Sequence, residues 1–310
     1  MLVLKYFSFF AYYPTSEEIY TFLQAKIDKN SLNIKLDRMV RQKLIVNCKL
    51  KIENCDRYTV GEYSKNISDI KYQISKKKLR NLRFRLYIKL VSLFPQIKLV
   101  GLSGSISMMN AGEEDDIDLF IITAKNRLFS SRFIALVLAQ IFGLRRSRDS
   151  ETQFLSQRGP LHPESEKIAF SSSHHHKDKV CLNLFFDESN LKVPKFKQTL
   201  FVGHEVLQMK PIVVKDNVYE KFLKANKWVF RLFPNARLVF SMKYLVSSIK
   251  NKEKEFSILN TRYYILDTIS DKIEKLLKKL QLTSINRHRT KEIITSTQLW
   301  FHPNDYNSFM

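Results

Sequence analysis

Residues 101–123 read GLSGSISMMNAGEEDDIDLFIIT, a stretch that joins a small Gly/Ser turn, a cluster of acids and an apolar run. Five of the six residues from Glu113 to Asp118 are acidic. The whole chain, by contrast, has 52 Lys and Arg against 30 Asp and Glu, for a formal charge of +22 at pH 7. Negative charge is therefore concentrated at the start of LFIIT, whose apolar character predicts a buried strand.

Two acids in this stretch are spaced so that both could bind the same ligand. Alternate side chains of a strand lie on one face, so Asp116 and Asp118 are expected to project together while Ile117 points into the core. Carboxylate oxygens and substrate phosphates form the ligand set that Mg²⁺ prefers. The pair is therefore predicted to bind Mg²⁺ or Mn²⁺, and the alternative is a solvated cluster of acids at the end of a strand.

The turn before the acids supplies the second half of the predicted site. Ser103, Gly104 and Ser105 follow a predicted strand in QIKLVGL, and Gly104 allows the backbone to approach a ligand closely. Backbone N–H groups and hydroxyls in such a turn can hold phosphate oxygens. Alone, the turn is equally consistent with a plain connection. Beside the acid pair, it predicts a site for a metal-bound nucleotide.

This arrangement resembles the nucleotidyltransferase superfamily, which includes DNA polymerase beta and the aminoglycoside and tRNA-tailing nucleotidyltransferases. The shared motif has an apolar residue, Gly and then Gly or Ser, a spacer, and Asp–apolar–Asp. Here it is 102–105 (LSGS), ten residues, and 116–118 (DID). The resemblance implies Mg²⁺-dependent transfer of a nucleoside monophosphate from an NTP to an acceptor, with release of pyrophosphate. It implies metal binding and catalysis by Asp116 and Asp118, and nucleotide binding by Ser103, Gly104 and Ser105.

The resemblance extends to a group of bacterial nucleotidyltransferase-domain proteins that begin with a winged-helix-like segment. The shared features, in chain order, are NRLFSSR at 126–132, CLN at 181–183, HE at 204–205, N-x-W at 226–228 and the nearby LFPN. They cover most of the chain. The implied fold is α+β, with a mixed sheet flanked by helices. The predicted domains are a winged-helix-like domain at 1–66, a nucleotidyltransferase domain at 67–195 and a mostly helical C-terminal region at 196–310.

One position departs from the superfamily pattern. Its catalysts usually carry a third carboxylate on a neighbouring strand, where it helps to deprotonate the attacking hydroxyl. Alternation in the predicted strand KVCLNLFFD puts Cys181, Asn183, Phe185 and Asp187 on one face. The third position then falls on Asn183, which is neutral and cannot act as a base, while Asp187 lies roughly 13 Å further along.

The departure leaves alternatives open. The acceptor hydroxyl would be activated by the metal alone or by Glu113 or Glu114, or else the protein binds nucleotide without turning it over. The rival function is therefore a non-catalytic, nucleotide-sensing regulator that binds nucleic acid.

The first segment provides the feature on which that rival depends. Two helical stretches, SEEIYTFLQAK and NSLNIKLDRMVRQKLI, precede an alternating hairpin pattern around ENCDR. This is the order of a winged helix-turn-helix, in which the second helix can enter the DNA major groove. That helix carries Lys35, Arg38, Arg41 and Lys43, but many winged helices dock only other proteins.

Positive charge is also concentrated further along the chain. From Lys71 to Lys98 there are nine Lys and Arg and no acid. Such a block suits nucleic acid or a nucleoside triphosphate, and the alternative is a solvated surface. Arg127 and Arg132, just after LFIIT, are predicted to contact a triphosphate or polynucleotide. In KKKLRNLRFRLYIKLVSLFP, helical spacing predicts that leucines form the buried face of one helix, and these are Leu79, Leu82, Leu86, Leu90 and Leu93.

The cysteines and the hydropathy indicate a compartment. Three cysteines, Cys48, Cys55 and Cys181, form no CxxC pair, which favours a reducing environment without a structural zinc site. No stretch approaches the roughly 18 to 20 apolar residues of a membrane helix, and the apolar start lacks the pattern of a signal peptide. We therefore expect a cytoplasmic protein without a membrane partner.

Overall fold

The computed structural model describes residues 1–49, 56–60, 65–146, 178–237, 239, 263–287 and 292–301. Helices pack around a mixed six-stranded sheet, and a two-stranded sheet lies near the N-terminus. The prediction of helices flanking a mixed sheet is therefore confirmed. Cys48 and Cys181 are buried thiols that form no disulfide, and Cys55 lies outside the described residues.

The N-terminal segment has the predicted order of helices and hairpin. Its elements are α1 (Leu2–Phe9), α2 (Ser16–Phe22), α3 (Lys29–Arg41), β1 (Val46–Lys49) and β2 (Asp56–Thr59). Strands β1 and β2 pair antiparallel. Helix α2 begins at a capping box, in which the side chains of Thr15 and Glu18 each accept the other's backbone N–H. Two donors that the helix start would leave unsatisfied are thereby bonded.

The predicted leucine helix is two helices, α4 (Lys65–Arg80) and α5 (Leu82–Leu93). Asn81 separates them because its side-chain oxygen accepts the N–H of Arg83 at 2.9 Å and so caps α5. The row of leucines is therefore divided between two helices.

The buried face of α5 differs from the predicted one. Phe84, Tyr87 and Val91 are buried, whereas Leu82 and Leu93 are each 67% exposed. The leucine prediction is therefore wrong for this helix. Both rows have helical spacing, and the row that contains the two aromatic rings packs against the sheet because it buries more apolar surface.

The central sheet has the order β6-β3-β4-β5-β8-β7. Its strands are β3 (Ile97–Leu102), β4 (Ile117–Thr123), β5 (Val180–Asp187), β6 (Lys210–Val214), β7 (Ile293–Ile294) and β8 (Gln298–Trp300). Strands β4 and β5 are parallel, and the other neighbouring pairs are antiparallel. Strands β6, β7 and β8 come from the region predicted to be mostly helical, so that region completes the sheet on both sides.

Helices cover both faces of the sheet. Further helices are α6 (Gly104–Ser107), α7 (Leu128–Ile141), α8 (Leu200–Gln208), α9 (Val218–Ala225), α10 (Val229–Leu232) and α11 (Tyr263–Asn286). One face shares a hydrophobic core with α1, α2, α8 and α9. The other shares a core with α5 and α7. The N-terminal helices therefore pack into the same core as the sheet.

A bulge in β5 reverses its predicted faces. Asp118 of β4 is opposite Cys181, but Phe120 is opposite Leu184. Strand β5 therefore contains one more residue than β4 over this interval. Beyond the bulge, Leu184 lies on the α8 side, in the core of Phe120, and Phe185 lies in the opposite core. The prediction that Phe185 shares the face of Cys181 is wrong because a single extra residue changes the phase of the alternation.

An aromatic stack joins α8 to the N-terminal helices. The His204 ring lies 3.6 Å from the Tyr6 ring and 4.3 Å from the Phe22 ring, in stacked geometry with both. Burial lowers the pKa of His204 to about 3, so the ring is neutral and packs as an aromatic group. Because Glu205 is the next residue, this stack also fixes the position of Glu205 at the sheet.

Asn235 bonds the segment after α10 to the N-terminal segment, and this connection can be tested. Its buried side-chain amide donates to the carbonyls of Tyr20 and Ala25 at 3.1 and 2.9 Å, and its oxygen accepts the N–H of Ile27 at 3.2 Å. We predict that Asn235→Ala lowers the free energy of unfolding by about 3 kcal/mol, because backbone groups would be left buried and unpaired.

Urea denaturation followed by circular dichroism measures this loss. Asn33→Ala, at an exposed position of α3, is the control and should change the free energy by less than about 0.5 kcal/mol. Equal, small effects of the two substitutions would show that Asn235 does not hold the N-terminal segment in place.

Candidate functional site

Asp116 and Asp118 lie at the start of β4, in the centre of the sheet. Ile117 between them is fully buried in the α5–α7 core, as predicted. Asp118 is on the opposite side of the strand, the side that carries Phe120 and faces α8. The strand therefore holds the Asp118 carboxylate at the sheet surface beneath α8.

The Gly/Ser turn is in direct contact with Asp118. The backbone N–H of Ser103 donates to the Asp118 carbonyl at 3.0 Å, and Gly104 has a positive φ of 59°. A Cβ on Gly104 would collide with the Asp118 carboxylate. Glycine is required here both by the backbone conformation and by the space that the carboxylate occupies. The structure thus brings together the two halves of the predicted site.

Ser105 connects the turn to the acidic loop. Its hydroxyl donates to Asp115 Oδ2 at 3.1 Å, and the same oxygen accepts the N–H of Gly112 at 2.9 Å. The hydroxyl of Ser105 therefore helps to fix the conformation of the loop before β4.

Lys78 of α4 also fixes the position of this loop. Its ammonium group donates to the carbonyls of Glu113 and Asp115 at 2.7 and 2.9 Å and pairs with Asp178 at 3.2 Å. Its side chain is only 3% exposed. A lysine buried to this degree is stable because all three contacts are to oxygen. Helix α4 is thereby attached to the loop that carries the acids and to Asp178, two residues before β5.

Asp116 is neutralised in part by Arg146. Arg146 Nη1 lies 3.0 Å from Asp116 Oδ2, and the two side chains are 19% and 12% exposed. Among the described residues, no hydrogen-bond partner accompanies the buried Oδ1 of Asp116. One oxygen of this carboxylate is therefore paired with a guanidinium group, and the other is a buried acceptor without a hydrogen-bond donor among these residues.

The residue opposite Asp118 on β5 is Cys181, and not Asn183 as predicted. Burial raises the pKa of both Asp116 and Asp118, and a hydrogen bond with the Cys181 thiol opposes this rise. Asn183 lies two residues further on, within the bulged stretch. Asp187 is opposite Thr123, at the far end of β4, where it accepts the N–H groups of Asn126 and Ser189.

Sequence reasoning missed Glu205, a third carboxylate at this site. Its Oε2 accepts the N–H of Gly104 at 3.4 Å, and its charge raises the pKa of Asp118. Spacing along the chain could not reveal it, because Glu205 reaches the turn from α8 and not from a strand next to β4. The only sequence signal was the HE pair at 204–205, which was part of the family resemblance.

The three carboxylates have raised pKa values. Burial, followed by the charges of Asp116 and Glu205, raises the pKa of Asp118 to about 8. Burial raises that of Asp116 to about 6, although Arg146 and Lys78 lower it. Burial raises the pKa of Glu205 to about 7, against the lowering effect of the Gly104 N–H. Simultaneous ionisation of the three groups is therefore unfavourable in this site, and a bound cation would stabilise their charged forms.

The donor set fits a divalent cation that shares its ligands with a substrate. Among the residues that the structure describes, no three His, Cys, Asp or Glu side chains are arranged to hold a metal by themselves. Mg²⁺, however, is usually bound by one or two carboxylates with water and substrate phosphates. Asp116 and Asp118 supply two such carboxylates, and in the described parts of the chain the buried Oδ1 of Asp116 has no hydrogen-bond partner that a metal would have to displace.

Arg127 and Arg132 are not brought to the acids. Arg127 pairs with Asp271, and Arg132 donates to Gln281 at 2.8 Å, so both hold α11 against α7. Helix α7 begins beyond the far end of β4, which places its start roughly 17 Å from Asp118 along the strand. Their side chains thus stabilise helix packing at the opposite end of the sheet.

A scan against models of protein families, a search of curated proteins and a search of solved structures each found no match. Within the described ranges, none of the helices combines the length and apolar character needed to cross a membrane. The function is therefore inferred from the geometry of the site.

Two glycines with similar backbones allow a matched test of the turn. Gly104 and Gly143 have positive φ values of 59° and 64°, but a Cβ on Gly143 would meet nothing within 4 Å. We predict that Gly143→Ala costs about 1 kcal/mol of unfolding free energy through its backbone alone. Gly104→Ala should cost about 3 kcal/mol because the new methyl group also displaces the Asp118 carboxylate.

Thermal unfolding of the two variants, combined with titration of Mn²⁺, separates these effects. Loss of Mn²⁺ binding in Gly104→Ala alone is the expected result. If both variants lose the same stability and keep Mn²⁺ affinity, the turn and Asp118 do not form one site.

Proposed function

We propose that the protein is a Mg²⁺-dependent nucleotidyltransferase that moves a nucleoside monophosphate from an NTP to an acceptor and releases pyrophosphate. The observation that carries the proposal is the contact between the Gly104 turn and the Asp118 carboxylate. This contact supports the proposal because a Gly/Ser turn of the kind that can bind phosphate lies against a carboxylate that could bind a metal ion. The charge of the three carboxylates supports a cation in this position.

In this proposal Asp116 and Asp118 would hold the Mg²⁺ ion, while Ser103, Gly104 and Ser105 would bind the β- and γ-phosphates. The ion would supply neutralisation of the phosphate charge. The acceptor oxygen forms a bond to the α-phosphorus, the bond from that phosphorus to the bridging oxygen breaks, and pyrophosphate leaves with the electron pair. The rate enhancement comes from positioning and from stabilisation of charge, as in other phosphoryl transfers.

The proton of the acceptor hydroxyl needs a base. Asn183 cannot accept it, and Cys181 stands opposite Asp118 in its place. Glu205 is a carboxylate already at the turn, whereas Glu113 and Glu114 are exposed in the loop. We assign the proton to Glu205, because it combines a carboxylate with a position beside Gly104.

A basic cavity beside the site supports a polyanionic acceptor. A cavity of about 480 Å³ is lined by Gln73, Lys76, Lys77, Arg80, Asn81 and Asp178. Asp178 is bonded to Lys78, which also bonds the Asp115 carbonyl next to Asp116. The cavity thus borders the acidic loop. Three cations in a concave surface suit the phosphates of a nucleic acid.

We place the reaction in the cytoplasm, where the thiols of Cys48 and Cys181 would stay reduced.

A second candidate function is the nucleic-acid-binding regulator. The observation that favours it is the helix–helix–helix–hairpin order of the N-terminal segment, with Lys35, Arg38 and Arg41 exposed on α3. Lys43 is also exposed but follows the end of the helix. In this alternative α3 enters the DNA major groove and the site senses nucleotide without transferring it.

Label transfer tests the enzyme directly. The protein is incubated with NTPs labelled at the α-phosphate, Mg²⁺ or Mn²⁺, and a cell extract as the source of acceptors. We predict transfer by the wild type and a loss of about 100-fold or more in Asp116→Asn and Asp118→Asn. Asp37→Asn, which removes an exposed carboxylate of α3, should retain transfer. Transfer that persists in both site variants would contradict the proposal.

Binding of a fluorescent single-stranded oligonucleotide, measured at several salt concentrations, locates the nucleic-acid surface. We predict that reversing the charges of Lys76, Lys77 and Arg80 weakens binding about tenfold or more and lowers its salt dependence. Reversing those of Lys35, Arg38 and Arg41 should have little effect. The opposite ranking, together with preference for duplex DNA, would favour the regulator.

A further inference from the structure

Arg146 forms an ion pair with Asp116, the residue that the proposed function assigns to Mg²⁺ binding. Its Nη1 lies 3.0 Å from Asp116 Oδ2 and 3.6 Å from Cys181 Sγ. Both contacts are at the edge of the site, on the side of β5. A guanidinium group therefore occupies one oxygen of a carboxylate that the proposal gives to Mg²⁺.

The backbone explains how Arg146 reaches this position. Leu144 accepts the N–H of Val180 at 2.8 Å, and Arg145 forms a parallel bridge with Val180. The residues after α7 are thereby attached to the first residue of β5. Arg146 is the next residue, so its side chain extends over Cys181 toward Asp116. This placement follows from the sheet and does not require a ligand.

The chemistry of the two groups indicates what happens when substrate arrives. A guanidinium is a single positive charge that binds through N–H donors in one plane, whereas a divalent cation binds carboxylate oxygens with twice the charge. Mg²⁺ entering with an NTP would compete with Arg146 for Asp116. The same planar donors match phosphate oxygens in paired hydrogen bonds, and the NTP brings such oxygens to the site.

We propose that Arg146 is a triphosphate-binding residue that the ion pair with Asp116 holds in place until metal and nucleotide bind. When a divalent cation binds the Asp116 carboxylate, the Arg146 guanidinium would dissociate from that carboxylate and bind the phosphates of the NTP. Arg146 therefore opposes binding of metal alone and favours binding of metal together with nucleotide. This inference rests on the proposed function, and it adds a coupling between the two ligands of the same site.

The inference predicts effects of opposite sign, which a purely structural ion pair would not produce. Replacing Arg146 with Met keeps the length of the side chain and removes its charge. Without nucleotide, Arg146→Met should bind Mn²⁺ about fivefold more tightly, because the competing cation is gone. With Mn²⁺ present, it should bind a fluorescent ATP analogue about tenfold more weakly, because a phosphate contact is lost.

The experiment uses the full chain and measures binding instead of turnover. Electron paramagnetic resonance gives free Mn²⁺ in the absence of nucleotide, and fluorescence anisotropy gives affinity for the ATP analogue with Mn²⁺. Arg146→Lys retains a charge without the planar donors, so it should keep wild-type Mn²⁺ affinity and bind the analogue with intermediate affinity. Arg145→Met, at an exposed neighbouring position, should behave as the wild type in both measurements. Circular dichroism checks that each variant is folded.

The outcomes separate the inference from the proposed function. Weaker binding of both Mn²⁺ and the analogue in Arg146→Met, or no change in either, overturns the inference. If Asp116→Asn abolishes Mn²⁺ binding in the same experiment, the proposed metal site stands without it. If the wild-type protein binds neither Mn²⁺ nor the analogue, both the proposed function and the inference fail.

Discussion

The close packing of the Gly104 turn against the Asp118 carboxylate is the constraint on which this site depends. The bond from the Ser103 N–H to the Asp118 carbonyl fixes the turn to β4. The missing side chain of Gly104 leaves the space that the carboxylate fills. A residue with a Cβ would meet both a strained φ and a steric collision. Strand β4 thus fixes the position of Asp118, and the absence of a side chain at Gly104 leaves room for the Asp118 carboxylate beside the turn.

Charge balance around this contact explains how a basic chain can contain an acidic site. Asp116, Asp118 and Glu205 converge near the turn, where burial raises the pKa of each. Arg146 opposes this charge at Asp116, while the ammonium group of Lys78 stabilises the loop through backbone carbonyls. In the proposed function, a divalent cation would relieve the remaining repulsion. The basic surface outside the site then suits the phosphates that such a cation accompanies.

The sequence predicted the parts of the site that are close along the chain. The strand with Ile117 buried, the Gly/Ser turn and the N-terminal order of helices and hairpin all follow from local patterns. The parts that depend on long-range packing were missed. Glu205 arrives from a helix on the other side of the turn, and one extra residue in β5 puts Cys181, and not Asn183, opposite Asp118. Likewise, leucine spacing could not show that Phe84 and Tyr87 would form the buried face of α5. The predicted phosphate contacts of Arg127 and Arg132 rested on sequence proximity to β4, but the strand carries them to the far end of the sheet.

The most direct measurement is a crystal structure with Mn²⁺ and a non-hydrolysable NTP, in which anomalous scattering locates the metal. The account predicts a metal peak within about 2.3 Å of carboxylate oxygens of both Asp116 and Asp118, with the triphosphate against Ser103, Gly104 and Ser105. A nucleotide and metal bound elsewhere, with the two aspartates free of the ion, would contradict it.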